Sequence, residues 1–334
     1  MKYPFDCMKS PIFCVNLLSE PTIEVMGSEG LIEKYINPYT DFGFKKLFGT
    51  ELNKDLLISF LNSLLPDGQV IKDVTYLNAE QLGTLEVDRR AVFDVYCENE
   101  QGEKFLVEMQ KGEQQFFKDR SLFYTTFPIR EQAIKGKSWN YELKAVYTVG
   151  ILNFAFDNGS DDYFHHEVKL VDMGTQEVFY DKLTLIYLEM PKFNKTEYEL
   201  ENMFDKWMFV LRNLSRLMER PAALQERIFT RLFEAAEIAR FNRKELIEYE
   251  DSLKNFRDWY SVMETSLNKG RAEGLAEGIE KGRAEGIEKG RAEGIEKGRV
   301  EGILEIAHNM KSRSVSLQVI QEITGLSLEE IEKL

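Results

Sequence analysis

Asp94, Glu108 and Gln110 are the residues in this chain best placed by type and spacing to do chemistry together. They lie in two runs, Phe93-Asp94-Val95-Tyr96 and Phe105-Leu106-Val107-Glu108-Met109-Gln110. Both runs alternate with period two and read as strands. Between them, residues 98–103 read as a hairpin connection in which Gly102 can take a positive φ. Alternation puts Val92, Asp94 and Tyr96 on one face of the first strand. It puts Leu106, Glu108 and Gln110 on one face of the second. With those faces paired, two carboxylates and an amide project from the sheet toward one point. Carboxylates on the open face of an antiparallel sheet are often only solvated. Buried ones bind a cation or act in catalysis, because an unpaired buried charge is costly.

The spacing Asp-x13-Glu-x-Gln resembles the active site of the PD-(D/E)xK nucleases, with Gln110 in the slot of the usual Lys. The segment Asn37-Pro38-Tyr39-Thr40-Asp41-Phe42-Gly43-Phe44-Lys45-Lys46-Leu47-Phe48-Gly49 resembles the opening motif of the PD-(D/E)xK family transposases, the Rpn recombination-promoting nucleases. Asp119-Arg120 with Tyr124, then Gly136 with Tyr141-Glu142-Leu143-Lys144, are similar to the next blocks of that family, in family order. The resemblance spans about residues 31–334. It implies a restriction-endonuclease-like α/β core with a mixed sheet, followed by an all-helical C-terminal region. It also implies a metal-dependent endodeoxyribonuclease linked to recombination, transposition or defence against foreign DNA.

Phosphodiester hydrolysis calls for a cation to stabilise the developing charge and to supply hydroxide near neutral pH. Asp94, Glu108 and the main-chain carbonyl of Met109 are the hard oxygen donors that Mg²⁺ prefers, and Mn²⁺ is the expected substitute. Gln110 can orient a water but brings no positive charge, and the resemblance includes Gln at this position. Lys111 should face the other side of its strand unless the strand bulges. Asp41 is a further candidate carboxylate, approaching the metal or capping the helix that follows. Arg120 is expected to bind a phosphate or to tie its helix to Asp94 or Glu108, with Tyr124 one turn later on the same face. Glu86 and Asp88 read as strand-edge charges, and His165-His166 as a solvated loop pair.

The elements that must position these groups follow from periodicity. Residues 41–65 read as one or two helices, ended by Pro66-Asp67-Gly68. Strands are expected near 71–78, 86–98 and 104–111, then a helix over 113–135 with a kink or break at Pro128. Further strands fall near 144–152, 167–171 and 183–190. Residues 193–266 read as a helical region. This order suits a mixed sheet with helices.

Length and composition bound the function class. At 334 residues with 43% hydrophobic side chains, a substantial core is expected. Cys7, Cys14 and Cys97 have no metal-ligand spacing, which fits a reduced cytoplasmic setting. No apolar run reaches membrane-spanning length. Residues 1–30 read as a leader, disordered or upstream of a start at Met26. The net charge of −14 argues against binding DNA by bulk charge alone. Residues 118–144 nonetheless carry six basic against three acidic side chains, a net +3 beside the proposed site.

Residues 267–302 place a glycine at every fourth position from Gly270 to Gly302, and the unit Gly-Arg-Ala-Glu-Gly-Ile-Glu-Lys occurs intact at 282–289 and 290–297. Glu277/Lys281, Glu285/Lys289 and Glu293/Lys297 favour helix by about 0.2–0.5 kcal/mol per pair. Each glycine opposes it by about 0.8–1 kcal/mol. The balance predicts a frayed helix unless a partner packs on it, so the run reads either as a solvated spacer or as a self-association helix. Residues 303–334 read as a small helical unit for partner binding or dimerisation. They have a capping box at Ser327 and Glu330 and an apolar seam of Ile320, Ile323, Leu326 and Ile331. The expected partners are therefore DNA and, through the C-terminal region, a second copy. The rival reading is a nuclease-like interaction protein with weak or no catalysis.

Overall fold

The computed structural model describes residues 33–66, 69–78, 93–133, 140–156 and 162–334. The leader, Glu86, Asp88, Val92 and Gly136 lie outside the described residues. The chain divides into two compact units, Met1–Phe256 and Arg257–Leu334.

In the first unit, α1 (Asp41–Phe48) and α2 (Lys54–Leu64) are joined by a short 3-10 turn. Strands β1 (Val74–Tyr76), β2 (Val95–Asn99) and β3 (Lys104–Gln110) follow. Helix α3 (Phe117–Glu131) then leads to β4 (Val146–Leu152). Strands β5 (His165–Val171) and β6 (Val178–Glu189) precede α4 (Met203–Asn213) and α5 (Arg227–Ala236). Among the described residues the strands form one six-stranded sheet in the order β1-β2-β3-β4-β6-β5. β3, β4 and β6 run parallel, and the remaining pairs are antiparallel. A parallel pair needs a crossover, and α3 supplies it between β3 and β4. This is the expected mixed α/β core.

Alternation sorts the sheet into two faces. Val95, Cys97, Phe105, Val107 and Val149 pack against α1, α2, α4 and α5, with Trp207 fully buried among Phe48, Phe60 and Phe229. Tyr96, Leu106 and Val146 pack on the other face with Phe127 of α3. Pro128 does not break α3, one of the two outcomes expected there. It lies one turn from the helix end at Glu131, and both Phe127 and Pro128 are buried, so packing holds the last turn despite the missing N–H.

The histidines also differ from expectation. His165 and His166 open β5, where they pair with Leu188 and Tyr187 of β6. His166 Nε2 lies 3.3 Å from Oε1 of the buried Glu189, and burial pushes the His165 imidazole below its ordinary value.

α6 runs continuously from Arg243 to Ser312, so the glycine run is helical rather than frayed. Residues 264–301 are exposed, and a Cβ built on any of the nine repeat glycines meets nothing within 4 Å. The nucleation cost of a helix is met once, and α6 has packed residues near both ends: Tyr249 in the core of the first unit and Ala307 in the second. In the second unit α7 (Leu317–Thr324) and α8 (Leu328–Lys333) close on Ala307 through Ile320 and Ile331. The capping box at Ser327 and Glu330 is present. Ile323, expected in the seam, is 62% exposed and stands outside the Ala307 cluster. Among the described residues no helix is long and apolar enough to cross a membrane.

Candidate active site

The β2–β3 register pairs Val95 with Val107 and Tyr96 with Leu106. Asp94 is the residue just before β2, and the same register sets it opposite Glu108. The ladder stops there because the Asp94 carboxylate replaces a main-chain partner. Its Oδ2 accepts the Met109 N–H at 2.8 Å. A strand residue directs its N–H and C=O to the same side, so the Met109 carbonyl faces this open edge too. Asp94 therefore sits at the end of the strand rather than within it, as alternation had placed it.

Glu108 projects on the α3 face. Its parallel neighbour on β4 is Gly150. A Cβ at Gly150 would come within 3.0 Å of the Tyr187 ring, so glycine leaves room beside the carboxylate that any larger residue would fill. Tyr187 donates its hydroxyl to Ser121 of α3 at 2.9 Å, which fixes this floor. Gly150 and Tyr187 were not among the sequence-derived site residues. The signal was a lone glycine inside an apolar strand.

Arg120 reaches into the same space from the first turns of α3. Its Nη2 donates to Glu108 Oε1 at 2.9 Å and to Gln110 Oε1 at 2.6 Å, and its Nη1 donates to Gln114. The guanidinium lies 5.5 Å from the Phe117 ring and 5.7 Å from the Tyr124 ring. Tyr124 in turn meets Phe93 edge-on at 5.1 Å, beside Asp94. Thus Arg120 ties α3 to Glu108, and Tyr124 braces the residue preceding Asp94. Gln110 is buried, and both ends of its amide are engaged. Its oxygen takes Arg120 and its nitrogen donates to the Gly112 carbonyl at 2.8 Å. Its visible work is to hold Arg120.

Asp41 neither caps α1 nor lies buried. Thr40 is the cap: its Oγ1 accepts the Gly43 N–H at 3.0 Å and donates to the Asn37 carbonyl at 2.8 Å. Gly43 allows that tight turn, since a Cβ there would fall 2.1 Å from the Asn37 oxygen. Asp41, freed from capping, pairs with Lys111 Nζ at 2.8 Å. Lys111 follows the end of β3 and turns to the α1 side, opposite Glu108, as alternation requires.

Burial dominates the electrostatics. It pushes the Glu108 carboxyl up to about 7; Arg120 opposes the rise and Asp94 adds to it. Burial also raises Asp94, opposed by the Met109 N–H. Asp41 raises Asp94 further, and the Lys45 and Lys111 ammonium groups pull it back down. Lys45 and Lys111 thus favour the charged form of Asp94, which spacing alone did not reveal.

Among the described residues no group of three or more His, Cys, Asp and Glu is gathered tightly enough to hold a metal by itself. The oxygens that Asp94, Glu108 and Met109 could offer are two carboxylates and a main-chain carbonyl. They suit a hard divalent cation that keeps several waters.

A family profile described as PD-(D/E)XK nuclease family transposase matches residues 38–266. No curated protein and no solved structure matches the chain. The matched span holds α1, the whole sheet, Asp94, Glu108, Gln110 and Arg120, and it covers well over half of the sequence. The chain belongs to the PD-(D/E)XK nuclease family transposases.

Proposed function

We propose that the protein is a Mg²⁺-dependent DNA endonuclease acting in recombination, transposition or defence against foreign DNA. The observation that carries this reading is that Asp94, hydrogen-bonded to the Met109 N–H, and Glu108 lie at the same end of the β2–β3 pair, with both carboxyls raised by burial. Two buried acids that disfavour their own charge are stabilised in the ionised form by a bound cation. Asp94, Glu108 and the Met109 carbonyl would hold it. When bound, the cation supplies charge stabilisation at the scissile phosphate and a water more easily ionised than bulk water.

The chain's own residues do the rest. The Met109 N–H fixes one Asp94 oxygen. Arg120 holds Glu108 in place and is the cation best placed to meet a phosphate. Gln110 locks Arg120, and so acts on the reaction through it. Lys45 and Lys111 favour the ionised form of Asp94 from the α1 side.

A second reading has one observation in its favour. Arg120 is already spent on Glu108 and Gln110, as in a purely structural ion-pair network. On that reading the domain is a nuclease-like assembly module without catalysis. Mn²⁺ binding followed by calorimetry separates the two, together with nicking of a supercoiled plasmid in Mg²⁺. The nuclease reading expects Mn²⁺ to bind, and Asp94→Ala and Glu108→Ala each to lose both binding and nicking while the far-ultraviolet circular dichroism is unchanged. Full nicking by either folded variant would remove the site assignment. No metal binding by the parent protein would favour the assembly module.

A further inference from the structure

Arg120 is bracketed in sequence by two phenylalanines that the fold leaves in solvent. Phe116 immediately precedes α3 and is 67% exposed. Phe123 lies three residues after Arg120 and is 49% exposed. The next residue after Phe116 makes the contrast plain: Phe117 is buried in the cluster with Leu152, Leu185 and Tyr187. Two adjacent phenylalanines therefore take opposite fates at the rim of the site.

Phe116 also carries a backbone cost. Its φ is 63° and its ψ 29°, the left-handed region that a bulky side chain rarely adopts and that glycine adopts freely. The turn itself needs only the main chain: Phe117 N–H donates to the Gln114 carbonyl and Arg120 N–H to the Phe116 carbonyl. Glycine would serve that turn better. A strained position bearing a large exposed ring, one turn before Arg120, calls for an occupant that uses the ring.

Phe123 is held rather than loose. It meets Phe127 edge-on at 5.2 Å and lies 6.3 Å from the Tyr124 ring. The two exposed rings are separated by roughly 10 Å along the helix axis, with the Arg120 guanidinium between them in sequence. Exposed aromatic faces around a cation form the platform on which unpaired bases stack, and such stacking tolerates any base. Paired bases in a duplex offer no free face to it. The chain's net charge of −14 also weakens binding through phosphates alone, so stacking must bear a larger share.

We propose that Phe116 and Phe123 form a stacking platform for unpaired bases of single-stranded DNA, which draws the strand across Arg120 to the Asp94–Glu108 site. This rests on the nuclease reading and narrows its substrate to DNA that is single-stranded or locally opened. The Phe116 ring is the main contact and the more confined Phe123 ring the lesser one.

The test uses the full chain in Ca²⁺, which slows cleavage, with fluorescence anisotropy of a labelled single-stranded oligonucleotide and its matched duplex. The parent should bind the single strand more tightly than the duplex. Phe116→Gly should raise the melting temperature, by relieving the strained backbone, yet weaken single-strand binding about tenfold, the size of one base–aromatic stack. That loss should persist at high salt, unlike the loss of a phosphate contact. Phe116→Trp should retain the affinity, and Phe123→Ala should weaken it by less than Phe116→Gly. A Phe116→Gly protein that is more stable and binds single strands as the parent does would overturn the proposal and leave Phe116 as a strained turn or a protein contact. A parent that nicks duplex DNA but ignores single strands would overturn it while the nuclease reading stood. A parent that binds neither DNA form, nor Mn²⁺, would overturn both.

Discussion

The sheet domain and the glycine repeat hold their secondary structure by opposite means. In the sheet domain each element is fixed by what lies against it. Trp207 is fully buried among three phenylalanine rings, its Nε1 donates to Ser59, and α1 turns only because Gly43 lets the Asn37 carbonyl approach. In the repeat nothing lies against the glycines, and the side chains contribute only exposed pairs such as Lys281–Glu277 at 2.6 Å and Arg299–Glu296 at 2.8 Å. Such pairs are worth little each. The difference teaches where function can tolerate change. Substitutions in the first region propagate to Asp94 and Glu108 through packing, whereas those in the second alter length and local helicity.

The comparison breaks most easily at Trp207. Truncation to alanine removes a ring shared by α1, α2, α4 and α5, and large aromatic-to-alanine changes in a core cost about 3–5 kcal/mol. Urea unfolding of Trp207→Ala should show a loss of that size. A loss under about 1 kcal/mol, the scale of an exposed substitution, would mean that the sheet domain is no more tightly coupled than the repeat.

A smaller effect is expected at the site itself. Burial lifts Glu108 from 4.5 to about 7. Between those pH values the unfolded chain has released the proton and the folded chain still holds it. The folded state then binds more protons, so stability falls as pH rises. Above about pH 7 the loss reaches a ceiling of roughly 3 kcal/mol. Glu108→Gln keeps the shape and never ionises. In chelator it should match the parent at pH 4 and exceed its stability at pH 8, by less than that ceiling because Arg120 loses its charged partner. Equal stability at pH 8 would show that Arg120 already offsets the cost of burial.

Much of this was legible in the sequence, for reasons tied to period. Strict alternation over Phe105 to Gln110 fixed which face Glu108 and Gln110 share, and the structure pairs Val95 with Val107 in that register. The helical spacing of Phe44, Leu47, Phe48 and Phe60 marked α1 and α2. What periodicity could not reach were contacts set by tertiary closure. Lys111 meets Asp41 only because α1 packs over the end of β3, and the amide of Gln110 is consumed by Arg120 only because α3 returns across the sheet. The ladder ends at Val95 because a side-chain oxygen competes for the Met109 N–H, a choice made by one hydrogen bond rather than by a pattern. His165 and His166 failed as loop residues for a related reason: β5 is half-exposed, and its pairing with β6, not its composition, makes it a strand.

The repeat gives the smallest expected effect in the sheet domain and the sharpest statement of the contrast. Its unit is eight residues, so deleting 282–289 leaves the sequence in phase on either side. Because residues 264–301 are exposed throughout, the deletion removes little buried surface. The sheet domain's melting temperature should therefore stay within error of the parent. Replacing Gly282, Gly286, Gly290 and Gly294 with alanine should instead raise local helicity, at about 0.8–1 kcal/mol per site. It should not change the sheet domain's transition either. Replacing the same four with leucine distinguishes spacer from self-association: sedimentation velocity should show no change of species if the helix stands alone, and a shift toward monomer if the bare glycine surface is where two copies approach. A lowered melting transition of the sheet domain in the deletion would show that the two regions are coupled, and the comparison would fail.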